Sequence, residues 1–274
     1  MTVALFAVLF FGALAAGALG SALGMAGGIF VVPLLTLVAD TSFSTAVGVS
    51  LVSVIACSCA SAPGFLSAGL ANLRLAVVLE VATTLGAIVG VLMIGAVPNG
   101  LLYGIFAAVL VASAIQLMTG RRPRRSPAAS GRHQALDATY VDHDGSPVAY
   151  RVTRLPLGLM LMFGAGALSA LLGIGSGVLK IPAMDAAMRL PIKASAATAN
   201  LMIGVTACGA AAAYLVGGTL DLALTGPVVL GSLAGSVVGA RILVRAAGPG
   251  LRVVFMIVLL GLAVPMTMNA VGLG

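Results

Sequence analysis

Two glycine clusters stand out in the chain, Gly24-Met25-Ala26-Gly27-Gly28 and Gly173-Ile174-Gly175-Ser176-Gly177, and each is followed five residues later by a proline, Pro33 or Pro182. Glycine there permits a backbone turn inside an apolar region. Such a turn leaves the first N–H groups of the following helix without intrahelical partners, carrying the positive end of the helix dipole. That is anion-binding chemistry. The alternative is that the glycines only allow close helix packing, as Gly86/Gly90 and Gly235/Gly239 do at small-xxx-small spacing.

Lys180 is the one basic residue placed inside an apolar segment rather than at its end. An ammonium at the bilayer centre costs at least about 2.5–3.5 kcal/mol, so it should face a cavity, a partner or a substrate. Otherwise it snorkels to the interface. Glu80 and Asp185 are candidate proton-coupling groups, each near the end of an apolar run, where an interfacial place is the alternative. Thr198, Asn200 and Thr206 share one stretch of a later segment, with Ser50 and Ser53 in the equivalent stretch of the first half. Their hydroxyls and amide either donate to an oxyanion or bond across helices.

Catalytic patterns are missing. Ile174 breaks the Gly-x-Ser-Gly spacing of intramembrane serine proteases, and neither histidine falls within an apolar segment where it could act as a base. A dinucleotide fingerprint would need a preceding strand and a later acid. The reading is not an enzyme, with no cofactor and no metal site.

Composition says what must position these groups. Of 274 residues, 14 are Lys or Arg and 7 are Asp or Glu, with 61% hydrophobic and mean hydropathy +1.19. A soluble domain carries about 25% charged residues, against 8% here, so lipid must surround most of this chain. A secreted disulfide scaffold, a nucleic-acid module and a cytosolic enzyme are excluded. The basic residues read as topology signals rather than a nucleic-acid surface. Cys57, Cys59 and Cys208 are odd in number and lie in apolar stretches, so no disulfide framework is implied. The first apolar run has no Lys or Arg before it and does not read as a cleaved signal peptide.

Apolar segments fall at roughly 3–23, 27–38, 44–68, 75–96, 100–118, 155–174, 177–188, 194–216, 222–244 and 251–272. Eight are long enough to span a bilayer, which takes about 20 residues; the two short ones follow the glycine clusters and read as half-helices that enter without crossing. The order repeats at an offset of 149. Gly24 falls on Gly173, Gly28 on Gly177, Pro33 on Pro182, Cys59 on Cys208, Gly86 on Gly235 and Gly90 on Gly239. The expected organisation is a first membrane repeat over 1–118, a basic linker over 119–154 and a second membrane repeat over 155–274.

Charge decides how the copies are oriented. If every long segment crosses, Lys and Arg divide eight against five between the two sides. If the first segment of each half forms a re-entrant hairpin with its half-helix, leaving three crossings per half, all 13 loop and helix-end Lys and Arg fall on one side, with Asp40 and Asp221 opposite. The positive-inside rule favours the second arrangement. An odd number of crossings makes the repeats inverted, with the central loop cytoplasmic and both termini periplasmic. The fold expected is an all-α polytopic membrane protein of two such repeats. The linker opens with Arg121-Arg122-Pro123-Arg124-Arg125 and reads as an anchor at anionic headgroups, while 138–143 and 146–152 flank Asp144-Gly145 as a small β-hairpin. His133 and His143 lack companion ligands.

The glycine/proline motifs, Lys180-Ile181-Pro182-Ala183-Met184, the run Leu190-Pro191-Ile192-Lys193-Ala194 leading into 197–207, and the duplication together resemble the TauE/SafE sulfite exporter family. The resemblance covers both halves and leaves out the linker. It implies a secondary carrier in the bacterial inner membrane, made of two modules of about three spanning helices, whose substrates are sulfur-containing anions such as sulfite, sulfoacetate, other organosulfonates or thiosulfate. Where that family often has a further glycine, this chain has Ala26 and Ser176. The expected site lies between the inverted halves, bounded by Gly27, Gly28, Ser176, Gly177 and Lys180, with Thr198, Asn200 and Thr206 nearby, and it works by alternating access. A channel-like anion pore and a non-transporting membrane protein acting through the basic linker are the rival readings. The topology has a direct test: a single cysteine placed within 123–150 of a cysteine-free variant should react with an impermeant thiol reagent only from the cytoplasmic side. Labelling from the periplasmic side would overturn the orientation.

Overall fold

A computed structural model describes residues 3–118, 136–141, 147–245 and 260–269. The apolar segments are helices: α1 (Val3–Ala22), α2 (Gly28–Val38), α3 (Phe43–Ser67), α4 (Leu73–Leu92) and α5 (Asn99–Met118) precede the linker. After it come α6 (Leu155–Leu172), α7 (Gly177–Pro182), α8 (Ile192–Val216), α9 (Leu222–Arg245) and α10 (260–269). Among the described residues α1, α3, α4, α6, α8 and α9 are long and apolar enough to cross a membrane. The eighth long segment expected, 251–272, lies largely outside the described residues. Large side chains on the outer surface are apolar, with Val77, Val81 and Met160 each more than 60% exposed. A surface of that kind belongs in hydrocarbon.

Local signals set the helix starts. Ser42 caps α3 by accepting from the Thr45 N–H, Asn72 caps α4 by accepting from the Leu75 N–H, and Asp221 accepts from the Ala223 and Leu224 N–H groups at the start of α9. Asn72 and Asp221 are 149 residues apart, as are the starts of α3 and α8. One segment departs from expectation. The second half-helix, read as continuous over 177–188, is α-helical only to Pro182 and continues as a π-helical turn over Ala183–Ala187. Proline lacks the N–H that a regular α-helical backbone bond needs, and the α pattern ends at that residue.

The halves are joined by close helix pairs. A Cβ on Gly86 would sit 1.9 Å from the Phe163 carbonyl oxygen, and one on Gly90 2.4 Å from that of Ala167. The same contacts recur 149 residues on: Gly235 would meet the Leu14 carbonyl at 2.0 Å and Gly239 that of Ala18 at 2.1 Å. Rising numbers on both sides mean that α4 runs parallel to α6 and α9 parallel to α1. Between α3 and α8 the order is opposite, because Gly48 lies by Tyr214 while Ser58 lies by Asn200 and Gly204. These two helices, equivalent under the offset, are antiparallel. Backbone approach this close permits dense packing and Cα–H···O contacts where lipid supplies no hydrophobic drive between helices.

The linker carries the expected hairpin, β1 (Ala138–Val141) paired antiparallel with β2 (Pro147–Tyr150), with Ala138 opposite Tyr150 and Val141 opposite Pro147. The Asp144-Gly145 step, His133, His143 and the run 121–125 lie outside the described residues. Tyr140, Tyr150 and Val152 are buried, so the hairpin is docked on the helices. The packing account predicts that Gly86→Val or Gly235→Val, which drives side-chain atoms into a backbone oxygen, destabilises the protein by about 1–3 kcal/mol or more. Gly164→Ala, where an added Cβ meets nothing within 4 Å, should be neutral in thermal unfolding in detergent.

Candidate functional site

The two glycine turns touch. In the first, Gly24, Ala26 and Gly27 have φ of 76°, 52° and 74°, and the Met25 N–H bonds back to the Gly20 carbonyl at 2.7 Å. Ala26 therefore holds a left-handed conformation, which disfavours a Cβ by about 1–2 kcal/mol, and the turn forms all the same. In the second turn Gly173 and Gly175 have φ of 66° and 60°. A Cβ on Gly28 would lie 2.9 Å from the Gly173 carbonyl oxygen, and one on Gly177 would lie 2.8 Å from the Met25 Cα. Ser50 on α3 ties the crossing, with its hydroxyl 2.7 Å from the Gly173 carbonyl oxygen and 3.2 Å from that of Gly28. Gly28 and Gly177 thus sit at the contact between the two turns, while Gly27 packs against the Ala16 carbonyl of α1.

The second turn differs from the bare-backbone expectation in one respect. The Ser176 N–H is taken by the Ser169 hydroxyl at 2.9 Å, so that donor is not waiting for a ligand. The equivalent pair in the first turn, Gly20 and Gly27, closes by backbone contact, since a Cβ on Gly20 would fall 2.0 Å from the Gly27 nitrogen. The Ser176 hydroxyl itself is fully buried and has no hydrogen-bond partner among the described residues.

One turn beyond Gly177, Lys180 is fully buried. Its ammonium donates to Thr206 Oγ1 at 2.8 Å and to Glu80 Oε2 at 3.3 Å, and the Thr206 hydroxyl donates to Glu80 Oε1, closing a three-membered ring. The Glu80 side chain is 13% exposed, the Lys180 side chain 0%. The carboxylate is therefore the accessible member of the pair. Glu80 comes from α4 of the first half, Lys180 and Thr206 from α7 and α8 of the second. Glu80 is thus the eighth residue of its helix and part of a largely buried ion pair. Thr83, one turn on, donates to the Leu79 carbonyl at 2.7 Å on the same face of α4.

The other expected residues lie elsewhere. Thr198 accepts from the Asn72 N–H at 3.0 Å, two turns along α8 from Thr206, a rise of roughly 12 Å. Asn200 donates to Ser61 at 3.0 Å while its carbonyl accepts from Ser58 at 2.6 Å, binding α8 to α3; its Oδ1 is buried without a partner among the described residues. Asp185 is half-buried on the π turn. Cys59 and Cys208 are exposed, and Cys57 is buried with its thiol 3.3 Å from the Ser232 carbonyl. No group of three or more metal-ligating side chains occurs among the described residues.

Sequence reasoning passed over Asn72, which joins three elements. Besides capping α4 and meeting Thr198, its amide donates to the Leu136 carbonyl of the linker at 2.8 Å. The linker also reaches the second half, where the Thr153 N–H and hydroxyl both donate to the Met188 carbonyl at 3.3 and 3.0 Å. Burial in this docked linker pushes the Tyr150 phenol above its ordinary pKa, so it stays protonated. The available signal for Asn72 was its position immediately before an apolar periodic run.

A family model described as "Sulfite exporter TauE/SafE" matches residues 9–266. The chain is also 26% identical over 200 residues to "Probable membrane transporter protein YunE" of Bacillus subtilis (strain 168), a match covering 69% of this chain and 71% of that protein. No solved structure matches. Six long apolar helices and a family match over nearly the whole length lead to one conclusion: the chain belongs to the TauE/SafE sulfite exporter family of membrane transporters.

Proposed function

We propose that this transporter is a secondary carrier of small sulfur-containing anions, such as sulfite, sulfoacetate or another organosulfonate, working by alternating access with proton coupling. The observation that carries the reading is the buried Lys180–Glu80–Thr206 ring, built from both halves of the chain. An ammonium in an apolar interior is a functional group by default, because its insertion is costly and apolar packing gains nothing from it. The carboxylate beside it supplies a proton acceptor. Thr206 supplies a hydroxyl that can face either a carboxylate or an oxyanion. Asp185 is a second proton-coupling candidate, and the Ser176 hydroxyl, buried and unpartnered among the described residues, is a donor for a bound anion.

The antiparallel course of α3 and α8, together with reciprocal α1–α9 and α4–α6 contacts, supports reading the halves as inverted repeats. Broken helices meeting between such repeats are how secondary transporters build sites near the bilayer midplane. Rocking of one half against the other would break the Glu80–Lys180 contact and expose the ammonium. The positive-inside count supports a bacterial inner-membrane protein with a cytoplasmic central loop and periplasmic termini.

The test is flux in reconstituted liposomes. Wild-type protein should move sulfite or an organosulfonate saturably and in response to a pH gradient, and Lys180→Ala should lower that flux by at least tenfold while the purified protein stays folded. Undiminished flux in Lys180→Ala would remove the ring from the transport site. Non-saturating, purely electrogenic flux would favour a pore. Removing 123–135, the basic part of the linker ahead of the docked hairpin, should leave flux within about twofold; its loss would favour a role centred on the linker.

A further inference from the structure

The resting ring is electrically complete: one ammonium, one carboxylate and one hydroxyl satisfy each other inside an apolar region. Bringing in an anion as a third charge would leave the buried cluster net negative, and an uncompensated buried charge is strongly disfavoured. Among the described residues no second cation sits beside it on the helices packed there. α6, which packs along α4, has no charged residue, and Lys193 on α8 is thirteen positions from Thr206, roughly 20 Å along the helix. Arg74 lies six positions before Glu80 at the exposed start of α4, and Asp185, on the π turn after α7, adds negative charge rather than relieving it.

The repeat has no second copy of the pair. At the positions 149 residues away, Lys180 is matched by Val31, Glu80 by Val229 and Thr206 by Cys57. The counterpart cluster is uncharged: Ser53 donates to Ser232 at 2.8 Å, and Cys57 lies beside them. One buried Lys–Glu pair among the described residues gives one exchange per cycle.

Resting on the carrier reading above, we infer that the substrate replaces the Glu80 carboxylate at the Lys180 ammonium, with Glu80 taking up one proton as it is displaced, so that the protein cotransports one proton with one monoanion and moves no net charge. The step balances. A proton from the aqueous phase adds to the Glu80 carboxylate, the anion takes the place of that carboxylate against the ammonium, and release on the other side returns the proton to water as the Glu80–Lys180 pair re-forms. Thr206 serves both states by turning its hydroxyl from Glu80 to the anion. The loaded site holds one ammonium, one neutral carboxyl and one monoanion and is neutral, as the empty site is. A dianion would leave a net negative charge. The substrate class is therefore the monoanionic form, hydrogen sulfite or a sulfonate with no second acidic group, in preference to sulfite dianion, thiosulfate or sulfoacetate.

The experiment uses the full chain in liposomes, with methanesulfonate as the monoanion probe and sulfoacetate as the dianion. Wild type should accumulate methanesulfonate about tenfold for each unit of pH gradient, because each proton carried couples one factor of ten. A potassium–valinomycin potential should change that flux by less than about twofold, and sulfoacetate should move at least tenfold more slowly. Glu80→Gln should lose the dependence of methanesulfonate flux on the pH gradient, and the flux that remains should depend on membrane potential. Wild-type methanesulfonate flux driven by potential, or a Glu80→Gln protein still driven by the pH gradient, would overturn the exchange while leaving the carrier reading intact. Absence of flux for every sulfur anion would instead fail the carrier reading, and the exchange with it. Where Glu80→Gln yields poorly folded protein, the wild-type potential measurement alone decides.

Discussion

An ammonium buried in a lipid-facing protein must be compensated, and the arrangement around Lys180 follows from that constraint. The compensating carboxylate comes from the other half of the chain, so the α4–α6 and α4–α8 packing has to bring Glu80 within reach of α7. Carbonyl-to-glycine contacts at Gly86 and Gly90 set α4 close against α6. The left-handed turn at Gly173 lets α7 begin inside the protein and point Lys180 toward that helix. A buried pair of this kind is weak support for stability, because desolvation offsets most of its attraction. Burying such a pair where apolar side chains would pack at no desolvation cost argues for use rather than for scaffolding.

The glycine crossing and the ion pair divide the work. At the crossing, two backbone turns approach so closely that no Cβ fits at Gly28 or Gly177, and Ser50 bonds to the carbonyls of both turns. This tie fixes where the two half-helices start relative to each other. The ion pair lies one turn further along α7 and joins elements of different halves through side chains alone. Side-chain contacts break at lower cost than interlocked backbone, so relative motion of the halves is expected to be felt at Glu80–Lys180 before it is felt at the crossing. The linker hairpin, held to both halves through Leu136–Asn72 and Thr153–Met188, spans the same division at one end of the bundle.

Much of the fold was legible because lipid imposes a simple rule: apolar length marks helices, and backbone groups must be satisfied within them. The close-packing glycines Gly86, Gly90, Gly235 and Gly239 were legible from their spacing at the offset of 149. The boundaries of α3 and α8, α4 and α9 then fell in register. Lys180 and Thr206 were legible as polar residues in apolar runs. Their pairing with Glu80 was not, since it depends on which face of α4 meets α8, and uniformly apolar helices carry no stripe to indicate that face. Thr198 and Asn200 illustrate the same limit: they share a segment with Thr206 yet bond to Asn72 and Ser61 instead. The π turn after Pro182 was also unread, because Pro33 sits at the matching place in α2 without one.

The claim at the centre is that an anion and a proton enter the Lys180–Glu80 site together. Calorimetric titration of the purified protein with methanesulfonate, repeated in buffers of different ionisation enthalpy at one pH, measures protons taken up per anion bound. The expected result is close to one proton per anion in the wild type and none in Glu80→Gln. Saturable binding with an enthalpy independent of the buffer, in wild-type protein, would contradict it.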